Sequence, residues 1–147
     1  MSKLEAKILN PEAIKGLVQG LNELEKDKSI KAGLKKGVQV LVRGGRKRLG
    51  TSLLNKNKGT GNLMRSIAPR VKRRKLGALA GFRRPMGNHS HLLDRGTKDR
   101  YTKKGAYRGR MKATLFWAQT HDSDMSKAVT EVVTGIEKAV NRIKQRQ

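Results

Sequence analysis

From Lys28 to Leu93 the chain contains no acidic residue, while Lys and Arg recur throughout. This constrains folding more than any motif does. An unpaired cation cannot be buried without a large desolvation penalty, so any core built from this stretch must send its charges outward or find carboxylates elsewhere in the sequence. Those carboxylates sit at the two ends: Glu5, Glu12, Glu23, Glu25 and Asp27 precede the stretch, and Asp122, Asp124, Glu131 and Glu137 follow His121. With 35 Lys and Arg against 11 Asp and Glu, the 147 residues carry a formal charge of +24. Self-repulsion on that scale opposes compaction, and the expected partner is a polyanion, an acidic protein surface or further copies of the chain.

The densest basic groups are Arg43, Arg46, Lys47 and Arg48, and then Arg70, Lys72, Arg73, Arg74 and Lys75. Two readings apply to them, a solvated face or turn and a contact with nucleic acid. Phe82, Tyr101, Tyr107, Phe116 and Trp117 do not interleave with these runs, so stacking on single-stranded bases is not expected there. The nucleic-acid reading therefore predicts contacts to phosphates without sequence recognition.

The length suits one domain, residues 1–147, with basic loop or arm regions at about 50–62 and 98–110. Hydrophobic residues make up 35% and aromatics 3%, which predicts a small core of Leu, Val, Ile and Ala. Cysteine is absent, which excludes disulfides, zinc-thiolate sites and cysteine nucleophiles. Met1 to Asn10 hold Glu5 and no apolar run, and no eighteen apolar residues occur together, so neither a secretory signal nor a membrane span is expected.

Asn10-Pro11 reads as a helix start, followed by an apolar stripe of Ile14, Leu17, Val18, Leu21 and Leu24. A second helix is predicted from Ser29 to Arg48, ending near Gly50, with Ile30, Leu34, Val38, Leu41, Val42 and Leu49 on one side. Gly33, Gly37 and Gly44-Gly45 each weaken it by about 1 kcal/mol, and a bend is expected at the pair. Thr60 is placed to cap a helical turn leading into a strand. Ile67–Val71, Leu76–Phe82 and His91–Leu93 are predicted as short strands, irregular because of Pro69, Gly77, Gly81 and Pro85. Lys98–Gly109 lacks periodicity and reads as a mobile loop. Met111–Trp117 is expected to be extended. The last helix is predicted from the capping group Asp122-Ser123-Asp124, with Ala128, Val129, Val132, Val133, Ile136, Val140 and Ile143 along one side. The fold class is α+β: N-terminal helices, a small antiparallel sheet with long basic loops, and a long C-terminal helix. The open edges of so small a sheet suggest pairing with a neighbouring subunit.

Chemistry is sparse. His89 and His91 would share one face of an extended segment with Asp94 beyond them, but a metal would still need ligands from His121 or Asp122. Asp94 and Asp99 are the remaining acids and the weakest of three readings makes them a nuclease pair around Mg²⁺. Gly59-x-Gly61 and Gly44-Gly45 lack the lysine and strand context of a phosphate loop. No catalytic residue, cofactor or metal is expected.

Thr60-Gly61-Asn62-Leu63-Met64-Arg65-Ser66-Ile67 resembles the "TG-x-L-x-x-SI" segment of the small minor tail-component family of tailed bacteriophages. Leu92-Leu93-Asp94-Arg95-Gly96-Thr97 is similar to that family's strand ending in acid, aromatic, Gly and Thr. Phe116-Trp117-Ala118 and the helix after it resemble its closing aromatic segment and C-terminal helix. Asp94 stands where Glu is commoner, and Arg95 where an aromatic is. The resemblance implies a non-enzymatic virion protein acting in head-tail joining or tail completion. It further implies a ring, expected to be hexameric, touching portal, adaptor or tail-tube proteins and enclosing genomic DNA, with no membrane partner. Thr60, Gly61, Leu63, Ser66, Ile67, Asp94, Gly96 and Thr97 then have fold-making roles. The alternative is a DNA- or RNA-binding structural protein without sequence preference.

Overall fold

Asn22 and Glu25 start the longest element by satisfying each other's backbone. The Asn22 side-chain oxygen accepts from the Glu25 N–H at 2.9 Å, and the Glu25 carboxylate accepts from the Asn22 N–H at 3.1 Å. This reciprocal cap launches a helix six residues ahead of the predicted start at Ser29. The computed structural model describes residues 4–5, 11–54 and 61–146, so the proposed cap Asn10 and all but Gly61 of the predicted loop Asn55–Gly61 lie outside the described residues. In chain order the elements are β1 (Leu4–Glu5), α1 (Pro11–Leu17), α2 (Glu23–Leu54), α3 (Asn62–Ser66), β2 (Ile67–Val71), β3 (Ala78–Phe82), α4 (Ser90–Arg95), β4 (Arg100–Tyr101), β5 (Tyr107–Gly109) and α5 (Phe116–Lys144). This is the expected α+β arrangement.

The helix α2 runs for 32 residues, past Gly50 and through Gly44-Gly45 as one uninterrupted helix. The four glycines that should weaken it all face α5. A Cβ on Gly37 would lie 2.6 Å from the Ala128 carbonyl oxygen, and one on Gly45 would lie 2.5 Å from the Trp117 ring. A Cβ on Gly33 would strike the Val132 carbonyl oxygen, and one on Gly44 the Asp124 carboxylate. From the opposite side, a Cβ on Gly135 would lie 2.8 Å from Gly33 Cα. Gly33 thus meets the far half of α5 and Gly45 its first turn, so the two helices are antiparallel. Their backbones approach more closely than side chains at these positions would permit. The propensity lost at each glycine is offset by contacts that only a missing Cβ allows.

Beside this seam the predicted side of α2, Ile30, Leu34, Val38, Leu41, Val42 and Leu49, is buried, as are Ala128, Val132, Ile136 and Val140 of α5. Ile14, Val18 and Leu21 close one end of the core, but Leu24 is 74% exposed. Gly20 has φ +85°, which turns the chain between α1 and α2, so Leu24 restarts in a new helix out of phase with the stripe it was expected to continue.

The sheet order is β1-β3-β2, all antiparallel, with Ile67 opposite Phe82 and Val71 opposite Ala78. Lys72 N–H donates to Gly77 O at 2.8 Å and Arg83 N–H to Ser66 O at 2.8 Å. By alternation, the polar groups of Ile67, Pro69 and Val71 point away from β3. Pro69 has no donor, and the Ile67 carbonyl accepts from the Arg46 guanidinium at 2.8 Å. The outer edge of β2 is therefore blunted against another strand at Ile67 and Pro69, while β1 forms the other edge of the sheet.

Three further expectations are corrected. His91–Leu93 lies in α4, because the chain coils over the head of α5 rather than joining the sheet. Lys98–Gly109 contains the β4–β5 hairpin. The last helix begins at Phe116 rather than at Asp122, since its first turn is capped from outside by Asp94.

The seam yields opposite signs for one substitution. Gly33→Ala and Gly37→Ala should each destabilise by roughly 1–3 kcal/mol, because the clash is with backbone that cannot step aside. Gly16→Ala in α1 has nothing within 4 Å of its Cβ and should stabilise by up to about 1 kcal/mol. Urea melts of the three variants check this.

Candidate functional site

The chain around Asp94 meets the first turn of α5 directly, and the segment 61–67 is linked to it through Phe82, the strand partner of Ile67. Gly61 enters α3 with φ +71°, and its carbonyl accepts from the Arg65 N–H at 3.0 Å. Leu63 and Ile67 point into the core at 8% and 0% exposure. Ser66, fully buried, donates its hydroxyl to the Leu63 carbonyl at 2.6 Å. Thr60, the predicted cap, lies outside the described residues.

The chain then reaches α4. The Leu93 carbonyl accepts from both the N–H and the hydroxyl of Thr114, at 3.1 and 2.9 Å, and the Asp94 carbonyl accepts from the Leu115 N–H at 2.9 Å. Asp94 Oδ1 accepts from the Trp117 N–H at 2.9 Å, filling the capping position that Leu115, left-handed at φ 51°, cannot fill with an apolar side chain. Thr97 and Met111 exchange two bonds, Thr97 N–H to Met111 O and Met111 N–H to Thr97 Oγ1, each at 2.9 Å. Gly96 sits between them at φ +76° and ψ −173°, a region closed to other residues, with Met111 O and Ala113 N at 2.7 and 2.8 Å from where a Cβ would stand. The Phe82, Phe116 and Trp117 rings pack together with centroids 5.2 to 6.3 Å apart. The seven motif residues other than Thr60 therefore serve as structural parts, with the side-chain polar groups of Ser66, Asp94 and Thr97 spent on backbone.

The basic residues divide by use. Arg48 grips Asp124 with both guanidinium ends, Nη1 to Oδ2 at 2.5 Å and Nη2 to Oδ1 at 3.3 Å. The hydrogen bond from Arg48 to Asp124 raises the guanidinium pKa, their Coulomb attraction adds to it, and partial burial works against both. Stability tied to a raised pKa is lost only as pH climbs through it, so this arginine's share is constant over the working pH range. Arg46 is spent on the Ile67 carbonyl. Arg43 and Lys47 are exposed on α2 one turn apart. Arg70, Arg73, Arg74 and Lys75 are exposed at the end and tip of the β2–β3 hairpin, with Lys72 half-buried beside them. Lys31 ties that tip to α2, donating to the Arg73 carbonyl at 2.8 Å and to Asp27 at 2.6 Å. Lys31 and Arg43 are twelve positions apart on the helix, about 18 Å along its axis, so the two predicted groups form separate patches.

A polar groove of about 320 Å³ opens between α2 and α5, lined by Lys47, Thr51, Ser52 and Gln119 with the Arg48–Asp124 pair as its floor. His89 precedes α4 and His91 lies within it, which removes the shared face expected of an extended segment. Asp94 caps α5 while Asp99 accepts from the Tyr107 hydroxyl at 3.2 Å, so each of the two acids has its own partner. Among the described residues no group of three His, Asp or Glu is placed to hold a metal ion, and no helix is long and apolar enough to cross a membrane.

Sequence reasoning passed over the exposed Tyr101 and Tyr107, which the β4–β5 hairpin sets side by side. The signal was present: Tyr101-Thr-Lys-Lys-Gly-Ala-Tyr107 is a short Gly-containing turn between two strand-favouring residues. Compared with known proteins, the chain matches no family model, no curated protein and no solved structure.

The corner ranks three substitutions. Gly96→Val should cost about 3 kcal/mol or more through backbone strain and overpacking. Asp94→Ala should cost about 1 kcal/mol through the lost cap, and Asp94→Asn less, since an amide oxygen still accepts from the Trp117 N–H. Chemical denaturation followed by circular dichroism measures the order.

Proposed function

We propose that this chain is a structural protein of a tailed-bacteriophage virion, assembling as a closed ring at the head-tail connection or the top of the tail. The observation that carries the reading is the corner at the head of α5. The segments on which the resemblance rests, 60–67, 92–97 and 116–118, are separated in sequence, yet Asp94 caps the helix that Phe116 and Trp117 begin, and Phe82, the strand partner of Ile67, packs on both of those rings. Residues shared for architecture should behave this way, each making a turn, a cap or a packing contact.

Assembly is also supported by charge and surface. A formal +24 is easier to accommodate when neighbours or an enclosed polyanion supply counter-charge. Exposed apolar side chains offer a contact between subunits that does not need the blunted edge of β2. Leu24 and Leu76 are 74% and 55% exposed, and both belong to the end of the molecule where Lys31 holds the β2–β3 tip. Sedimentation in moderate salt should find one closed oligomer, a hexamer by the resemblance. Leu24→Ser combined with Leu76→Ser should shift it toward monomer while circular dichroism shows the fold retained, with the thermal midpoint lowered only by the lost subunit contacts. A strictly monomeric wild type that is also absent from purified particles overturns the proposal.

A second reading, phosphate contact without sequence preference, is favoured by Arg70, Arg73, Arg74 and Lys75, which lie exposed together on one hairpin. Each phosphate neutralised contributes about 0.9 to the dependence of log affinity on log salt for duplex DNA. Replacing Arg73, Arg74 and Lys75 by Ser should lower both affinity and slope, the slope by about 2 to 3. An unchanged slope assigns these residues to protein contacts instead.

A further inference from the structure

The β4–β5 hairpin carries a feature that neither reading above uses. Tyr101 and Tyr107 are cross-strand partners, their ring centroids 5.5 Å apart and tilted by 57°. Each is 61% exposed, whereas Phe116 and Trp117 are buried at 0% and 3% and Phe82 packs against them. The hairpin is also strongly cationic: Lys98, Arg100, Lys103, Lys104, Arg108 and Arg110 are all exposed, against one acid, Asp99. Asp99 is itself exposed and accepts from the Tyr107 hydroxyl at 3.2 Å, so the single carboxylate of the hairpin orients a ring. The register slips between Arg100 and Tyr101, leaving Arg108 as the extra residue beside Tyr107. The turn is fixed by Thr102, whose N–H donates to Ala106 O at 2.8 Å and whose hydroxyl accepts from the Ala106 N–H at 3.0 Å.

We propose that this hairpin is a binding site for single-stranded nucleic acid, in which Tyr101 and Tyr107 stack on unpaired bases and the surrounding Lys and Arg contact phosphates. Charge complementarity commits the site to a polyanion. The rings choose among polyanions, because an exposed aromatic face gains by stacking on an unpaired base, while an intact duplex presents its backbone and covers its base faces. The tilt leaves ring surface uncovered on both tyrosines, and their cross-strand pairing holds them at a fixed separation. The site is distinct from the β2–β3 tip, which has cations and no ring, and it does not depend on the virion reading.

The test uses the full chain and fluorescence anisotropy with labelled oligo(dT) and oligo(rU) of about twenty nucleotides, longer than a typical single-strand site, beside a duplex of equal length. The wild type should bind the single strands, and the two probes identify DNA or RNA as the better ligand. Tyr101→Ala with Tyr107→Ala should weaken single-strand binding roughly tenfold or more while changing duplex affinity less than about twofold. Tyr101→Phe with Tyr107→Phe should retain binding, because the ring rather than the hydroxyl does the stacking. Lys103→Ser with Lys104→Ser should weaken binding to single strands and lower the salt slope by about 0.7 per lost contact. All four positions are exposed on a hairpin outside the shared core, so the global thermal midpoints should stay near that of the wild type, and the Phe pair keeps the ring contact that joins the strands. Failure of the wild type to bind either single strand overturns the proposal, as does an equal loss of duplex and single-strand binding in the alanine variant, or no loss at all. Preferential binding to polyglutamate would assign the hairpin to an acidic protein instead.

Discussion

The close approach of α2 and α5 is the constraint on which the other contacts depend. Gly33, Gly37, Gly44 and Gly45 lie on the side of α2 that meets α5, and Gly135 completes the seam from the other helix. A side chain at any of them would push α5 outward, and with it Phe116 and Trp117 at its head. Those two rings hold Phe82, and Phe82 ends the central strand β3. The helix seam thereby sets where the sheet sits and how deeply the corner of Leu93, Asp94 and Gly96 can close over α5.

The seam also decides what becomes of charge. Arg48 and Asp124 meet because Gly44 leaves room for the carboxylate against α2, where a Cβ would occupy the same space. Two of the four basic residues grouped on α2 are consequently structural: Arg48 neutralises an acid from the far end of the sequence, and Arg46 closes the edge of β2. The pairing answers the problem set by the acid-free stretch, since the carboxylate that permits partial burial of a cation is imported from α5. Arginine suits the position because a planar fork can engage both carboxylate oxygens at once.

Much of this was legible in the sequence, and what was missed has physical causes. The buried sides of α2 and α5 follow from apolar spacing, and the β2–β3 hairpin from β-branched and small residues around a basic turn. The glycines were read as weaknesses because local propensity assigns them a cost, while their gain exists only across an interface that one helix cannot reveal. The start of α5 was displaced because its cap, Asp94, is supplied by another element, and Leu115 precedes the helix in a left-handed conformation that no apolar residue advertises. Gly96 carries a fold-making role by the resemblance alone, and its φ of +76° at the end of α4 is fixed by the backbone of Met111 and Ala113 that closes on it, which no local spacing announces. In the hairpin at 100–109, charge density concealed a pair of tyrosines that becomes a surface only once the strands pair.

Electrostatics explains why that surface lies where it does. Cations kept out of the helix seam have few carboxylates to meet, and they are dense and exposed at the β2–β3 tip and on the β4–β5 hairpin. The first is anchored to α2 through Lys31, whose ammonium bridges Asp27 and the Arg73 carbonyl, and it carries cations beside the exposed Leu76 with no aromatic ring. The second is attached through Thr97 and Met111, next to the Gly96 bend, and adds two rings to its charge. Charge repulsion alone would favour splaying such a hairpin, whereas tyrosine contact, the Tyr107–Asp99 hydrogen bond and the Thr102 turn hold its strands together. A polyanion would remove the repulsion while leaving those bonds in place, so the arrangement is better matched to occupied than to empty surroundings.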